Sequence, residues 1–251
     1  MSTGLLYDVH LYYIMIYMQD KYAQFKKISE GWKLLVAADI VTYAFINKKL
    51  HVLMVQRKFE PGIGKWGIPG GFVRENESLE QAAVRELREE TGLSKGVYLE
   101  QLYTFGELGR DIRTRVISVA YLLLVNDYLK VKLKASDDAA DVKWYPVDKL
   151  PELAFEKSHK EILDYARQRL RWKFEYTNVA LNMLPNKFTL SEVQKLYEVV
   201  LNEEIDKRNF RKKILSLDFV EPLDEMKKEL GRPAQLYKAQ DKELKIYTRI
   251  V

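Results

Sequence analysis

Apolar and polar residues follow two rhythms along this chain, and the change between them divides it. Between residues 34 and 55 the runs are strand-like: 34–38 and 41–46 read as strand, 47–49 as a hairpin turn and 50–55 as the return. Gly62, Gly64, Pro69, Gly70 and Gly71 punctuate a loop. Residues 78–91 have helical spacing, with Ser78 and Gln81 as a capping box and Gly92 as the stop. Strand-like runs return at 97–103, 116–125 and 142–146. After Pro151 the spacing is helical, at 157–172, 189–202 and 206–217, and a domain boundary is expected between Trp172 and Pro185. Residues 1–30, rich in Tyr and Met and without turn signals, read as an amphipathic helix or as an arm packed on the body or on a partner.

Composition narrows the chemistry. The chain has no Cys, which removes disulfides, thiolate zinc sites and thiol redox reactions. A net charge of +5 permits a polyanionic partner without requiring one. The most apolar N-terminal run, 11–18, is too short to span a bilayer and lacks the flanks of a secretory signal, so a cytoplasmic protein with no membrane partner is expected.

The strongest chemical signal lies in residues 71–93, GFVRENESLEQAAVRELREETGL. On a helix, Glu86, Glu89 and Glu90 stand at i, i+3 and i+4 and project from one face. Carboxylates so crowded repel each other unless hard cations sit among them, and Mg²⁺ prefers oxygen ligands while keeping positions open for water and phosphate. The competing reading is a solvated acidic face laced by i,i+4 pairs such as Arg85 with Glu89. The upstream glycines, Glu77 and Arg85 weigh against it. The segment satisfies G-x5-E-x7-R-E-U-x-E-E-x-G-U, where U is a bulky aliphatic residue, and is identified as a Nudix box.

That resemblance implies an α/β/α sandwich with a mixed sheet, and a hydrolase cutting the diphosphate bond of a nucleoside diphosphate derivative. By the same resemblance Glu86, Glu89, Glu90 and the backbone carbonyl of Gly70 hold Mg²⁺, or Mn²⁺ in its place, with one of the glutamates assisting as base. Arg85 and Glu77 then form a positioning ion pair. The box leaves open whether the site turns substrate over or only binds it.

Downstream, Arg110, Arg113 and Arg115 precede the run 116–125 and suit bidentate recognition of phosphate, or else decorate a polar loop. The segment resembles R-D-x-R-x-R-V-x-S-V-A-Y of ADP-ribose-type Nudix proteins and their regulatory relatives, with Ile112 where Pro is common. Phe59, Tyr103 and Phe105 could stack a base, whereas Trp66 reads as core. His10, His51 and His159 are scattered without metal spacing and receive no chemical role.

In the C-terminal third, Leu190, Val193, Leu196, Tyr197 and Val200 make one apolar stripe, and Phe210, Ile214 and Leu217 another. The second helix has a basic face on which Arg208, Arg211 and Lys212 point together, as in a helix entering a major groove. Residues 219–221 and 236–238 pair as a wing, with Arg232 before the return strand. A soluble helical cap is the alternative. The run L-P-x-x-F-T-L-x-x-x-Q-x-L-Y-E followed by D-K-R-N-F-R-K resembles the Nudix-related transcriptional regulators of the NrtR and AraR type. That family resemblance implies a metabolite-sensing Nudix domain, a winged helix binding double-stranded DNA through Lys207, Arg208, Asn209, Arg211, Lys212 and Arg232, and a homodimer. The expected fold is therefore α+β: an N-terminal arm or helix over 1–30, a Nudix domain over 31–172 and a winged helix-turn-helix domain over 173–251. Two functions stay open, a Nudix hydrolase fused to a DNA-binding module and a regulator whose Nudix domain only senses ADP-ribose or a sugar.

Overall fold

The computed structural model describes residues 34–93, 96, 98–126, 133–135, 139–228, 233–241, 243–248 and 250. The expected arm over 1–30 lies outside them. Strands β1 (Leu34–Ile46) and β2 (Lys49–Arg57) form an antiparallel hairpin, with Ile46 opposite Lys49. Asn47 and Lys48 are thus a two-residue turn with φ of 49° and 61°, the left-handed pair of a type I′ turn, whose twist matches that of the strands.

The two stretches that read as strand are joined in one. Asp39 and Ile40 continue the ladder because β6 (Arg115–Val125) runs parallel to β1 from Leu34 opposite Arg115 to Ala44 opposite Val125. Strands β3 (Trp66–Gly67), β4 (Gly70–Phe72), β5 (Tyr98–Phe105) and β7 (Ala139–Pro146) complete a mixed sheet ordered β3-β2-β1-β6-β5, with β4 against β1 and β7 against β2.

Both faces of this sheet are covered, which is why β6 reads as a continuous apolar run. Ala38, Ile40, Val119, Tyr121 and Leu123 pack on Ala82, Ala83 and Leu87 of helix α1 (Leu79–Thr91). Val41, Tyr43, Ala120, Leu122 and Leu124 pack on Ile162, Ala166 and Leu170 of helix α2 (Glu156–Tyr176). Both halves of the expected Ser78/Gln81 capping box are formed, and Gly92, at φ 76°, donates its N–H to the Arg88 carbonyl as the left-handed C-cap.

Helix α2 runs four residues beyond Trp172, because the apolar spacing through Leu170 and Phe174 finds a new partner. Phe174 packs on Tyr197 at 5.0 Å between ring centroids. A 3₁₀ segment (Asn178–Met183) leads to α3 (Leu190–Leu201), α4 (Lys207–Ser216) and a two-stranded wing, β8 (Val220–Lys227) and β9 (Ala234–Ala239). The runs expected to pair as a wing do so, with Glu221 opposite Lys238. Phe210 and Ile214 are buried, whereas Leu217 is half-buried at the C-cap. One apolar cluster runs unbroken from the sheet through α2 into α3 and α4. Among the described residues no helix is long and apolar enough to cross a membrane.

Candidate functional site

A cavity of about 350 Å³ opens where β1 and β4, the acidic face of α1, the loop before β6 and the first turn of α2 meet. Glu86 and Glu90, one helical turn apart, enter it from α1. Strand β4 passes so close to the helix that a Cβ on Gly71 would overlap the Glu86 carboxylate. The Gly70 N–H donates to Glu90 Oε2 at 3.0 Å. Asp39, from the middle of β1, forms the third acidic wall and accepts a short hydrogen bond from the Ser118 hydroxyl of β6.

Desolvation pushes the Glu90 carboxyl up to about 8, and the neighbouring Glu86 and Asp39 carboxylates add to this against the Gly70 N–H and Arg57. Burial raises Glu86 and Asp39 as well, with Arg85 opposing it at Glu86 and Ser118 opposing it at Asp39. Beside the cavity, Arg85 donates from Nε and Nη2 to the two Glu77 oxygens at 2.8 and 2.6 Å, and from Nη2 to the Phe72 carbonyl at 3.1 Å. This guanidinium holds the Glu77 carboxyl down at about 2. The pair clamps the loop before α1 to the helix.

The opposite wall is basic and aromatic. Asp111 accepts from Arg113 at 3.0 and 2.7 Å, which lays the guanidinium over Phe72 and Phe155 at 5.3 and 5.5 Å from the ring centres. Arg57 lies over the Phe155 ring at 5.2 Å. The Ser158 hydroxyl donates to the Arg110 carbonyl at 2.5 Å, and the Arg110 Nε is buried without a protein partner. His159 also lines this wall, and burial with Arg110 and Arg57 nearby holds its imidazole down at about 3, neutral. An anion admitted here meets three guanidiniums on one side and carboxylates on the other.

On the C-terminal unit, Lys207, Arg208, Asn209 and Lys212 are exposed on α4. Arg211 does not share their direction. Its Nη2 donates to the Ser191 hydroxyl of α3 at 2.9 Å, so it ties the two helices together. Arg232 lies outside the described residues.

A NUDIX domain model matches residues 35–166. The chain belongs to the Nudix family. A second model, the NrtR DNA-binding winged helix domain, matches residues 180–239 behind the Nudix part. The ADPR responsive transcriptional repressor NtrR of Acinetobacter baylyi is 32% identical over 218 residues, 86% of each chain. The ADP-ribose pyrophosphatase of Methanocaldococcus jannaschii is 36% identical over 59% of this chain and 82% of its own. NrtR of Shewanella oneidensis, solved with a 27mer DNA, superposes with a TM-score of 0.74 at 34% identity, over 85% of this chain and 98% of that one.

Within the Nudix box the structure separates residues that the helical spacing grouped. Glu86 and Glu90 reach the cavity; Glu89 does not line it. Its side chain, 41% exposed, is drawn outward by the Arg85 Nη1 at 3.1 Å, one turn earlier, and by Arg74 at 3.5 Å. The i,i+4 pairing considered as the competing reading thus holds Glu89, while the carboxylate site survives in its two neighbours. Among the described residues no three acidic or imidazole groups converge as a metal cluster. Two carboxylates nevertheless suit Mg²⁺, which uses one or two of them and completes its shell with water and substrate phosphate. The Glu86 and Glu90 carboxylates offer hard oxygen alone, and burial is what raises the Glu90 carboxyl in the absence of a cation. The residues present fit the ion.

Of the three arginines, Arg110 and Arg113 in the loop before β6 line the cavity, whereas Arg115, the first residue of β6, lies outside the lining and donates to the Glu107 carbonyl at 2.8 Å. Trp66 and Phe105 are core, Tyr103 stacks outside the cavity on Tyr165 at 5.0 Å, and only Phe59 of the aromatic candidates lines it. Asp39, Arg57, Phe155 and His159 were not anticipated. Asp39 carries the one sequence signal, an acidic residue inside an apolar strand run.

Proposed function

We propose that this chain is a Nudix phosphohydrolase acting on a nucleoside diphosphate derivative of the ADP-ribose type, with a Nudix unit over 31–172 joined to a DNA-binding winged helix over 173–251. The observation that carries it is the two-sided cavity, with Glu86, Glu90 and Gly70 facing Arg110 and Arg113. The names of the Acinetobacter and Methanocaldococcus relatives supply ADP-ribose as the first compound to test.

Mg²⁺ held by Glu86, Glu90 and the Gly70 carbonyl would neutralise the diphosphate and lower the pKa of a nucleophilic water. The chain's own groups do the remainder. Arg110 and Arg113 grip phosphate oxygens, Phe155 and Phe72 hold the Arg113 fork in place, and the Glu77–Arg85 pair fixes α1 beneath the scissile bond. One of the box glutamates takes the proton that the attacking water releases. Water adds to one phosphorus as the bridging oxygen departs with the other, so ADP-ribose gives AMP and ribose 5-phosphate. Incubation with Mg²⁺ and ADP-ribose tests this, the two monophosphates being the expected products. Binding of ADP-ribose without products over hours contradicts the hydrolase reading.

That outcome is the second reading, a sensor in a cytoplasmic homodimeric regulator, and one observation favours it. Arg85 occupies both Glu86 and Glu89, at 2.5 and 3.1 Å, and an arginine so placed competes with a second cation. In either reading the exposed first turn of α4, with Lys207, Arg208 and Asn209, is the surface proposed to meet duplex DNA. A gel shift with DNA upstream of neighbouring genes tests it, with loss of the shift in Arg208→Ala expected and indifference to that change counting against it.

A further inference from the structure

A second groove, of about 430 Å³, lies between the two units. Its lining includes Phe45 and Lys48 from the β1–β2 hairpin, Ser191 and Lys195 from α3, Lys207 from α4 and Lys227 from the wing. Its charges are not balanced. Lys227 is paired with Glu192 at 2.6 Å and Lys195 with Glu198 at 3.3 Å, so these four cancel two by two. Lys48 and Lys207 have no ion-pair partner among the described residues. The groove therefore carries an excess of two positive charges on two exposed side chains, one from each unit.

Their placement says what an excess of this kind meets. Lys207 is the first residue of α4, and Arg208 and Asn209 follow it in the same turn. In helix-turn-helix proteins the N-terminal residues of the second helix reach base edges, while cations beside it sit on the flanking phosphates. Lys48 is held by a type I′ turn of a rigid sheet rather than by a flexible loop, so no backbone ordering is required to present its side chain.

We propose that Lys48, at the tip of the Nudix hairpin, is a DNA phosphate contact, so that the duplex is gripped by the Nudix unit and the winged helix together across this groove. The proposal rests on the DNA-binding reading of α4 and extends it to a residue that lies outside the matched winged helix region, 180–239. It makes the Nudix unit part of the DNA interface. A ligand that shifts one unit against the other would then change the grip without touching α4.

The experiment measures affinity of the full chain, by fluorescence anisotropy across a salt series, for a duplex of about 30 base pairs, three helical turns, from upstream of its own gene, and for a mixed-sequence duplex of equal length. Four variants are compared: Lys48→Asn, which keeps a residue tolerant of the left-handed turn; Lys48→Arg, which keeps the charge; Lys143→Asn on β7, away from the groove; and Arg208→Ala on α4. Lys48→Asn is expected to weaken both duplexes alike and to lower the slope of log affinity against log salt by about 1. Lys48→Arg and Lys143→Asn should match the unaltered chain. An unchanged slope in Lys48→Asn, with Arg208→Ala still impaired, overturns this contact and leaves the DNA reading of α4 standing. Binding of neither duplex by the unaltered chain overturns both.

Discussion

Arg85 and Glu77 meet in a two-point ion pair with side chains only 11% and 12% exposed, joining the loop that follows β4 to the middle of α1. Because the same guanidinium also reaches Glu86 and the Phe72 carbonyl, it sets the distance between the glycine strand and the acidic helix. Lysine cannot reproduce that fork. Arg85→Lys should therefore lower hydrolysis of ADP-ribose by about 100-fold, the effect of a misplacement near 1 Å, with circular dichroism unchanged. Activity within threefold of the unaltered chain would show that the pair does not position α1.

Glu90 lies where desolvation opposes its charge, and among the described residues the Gly70 N–H is its one hydrogen-bond donor. Glu90→Gln keeps the shape and removes the charge. Thermal unfolding should show a midpoint equal to or above that of the unaltered chain, while turnover falls by about 100-fold or more. A lowered midpoint would mean that the carboxylate is structural.

His159 gives a pH dependence with a defined sign. Its folded pKa, about 3, lies below the ordinary value of 6.5, so the unfolded chain takes up the proton first as pH falls. Its contribution is intact above about 6.5 and is lost progressively as pH falls from there toward 3. In urea titrations at pH 7 and pH 5, His159→Gln should lose less stability between the two than the unaltered chain does. Parallel losses would place a charged imidazole in the fold.

Arg208 and Arg211 were grouped on one basic face, but only Arg208 is free of the α3 contact. Arg208→Ala should weaken DNA binding without changing stability. Arg211→Ala should do both, costing about 1 kcal/mol in urea unfolding through loss of the bond to Ser191. Equal stability of the two variants would show that the bond contributes nothing.

Local signals were legible in the sequence and non-local ones were not. Ser78, Gln81 and Gly92 cap α1 as their spacing requires, Asn47 and Lys48 make the turn, and Phe210 and Ile214 bury the face of α4. Each depends on neighbours within about one helical turn or one hairpin. Glu89 lies outside the cavity lining because helical periodicity fixes a direction but not the pull of Arg74 and Arg85 at its edge. Asp39, Arg57 and the pair Phe155 and His159 reach the cavity from three separate segments, and only the parallel pairing of β1 with β6 and the packing of α2 bring them together. The continuation of α2 past Trp172 has the same origin, since Tyr197 is what covers Phe174.

The most direct test is calorimetric titration of ADP-ribose into the unaltered chain and into the Glu86→Gln/Glu90→Gln double variant, each with Mg²⁺ and with EDTA. Tighter binding with Mg²⁺ in the unaltered chain, and no difference between Mg²⁺ and EDTA in the double variant, is the predicted result. The same Mg²⁺ enhancement in both proteins, or none in either, would contradict a diphosphate site built on these two carboxylates.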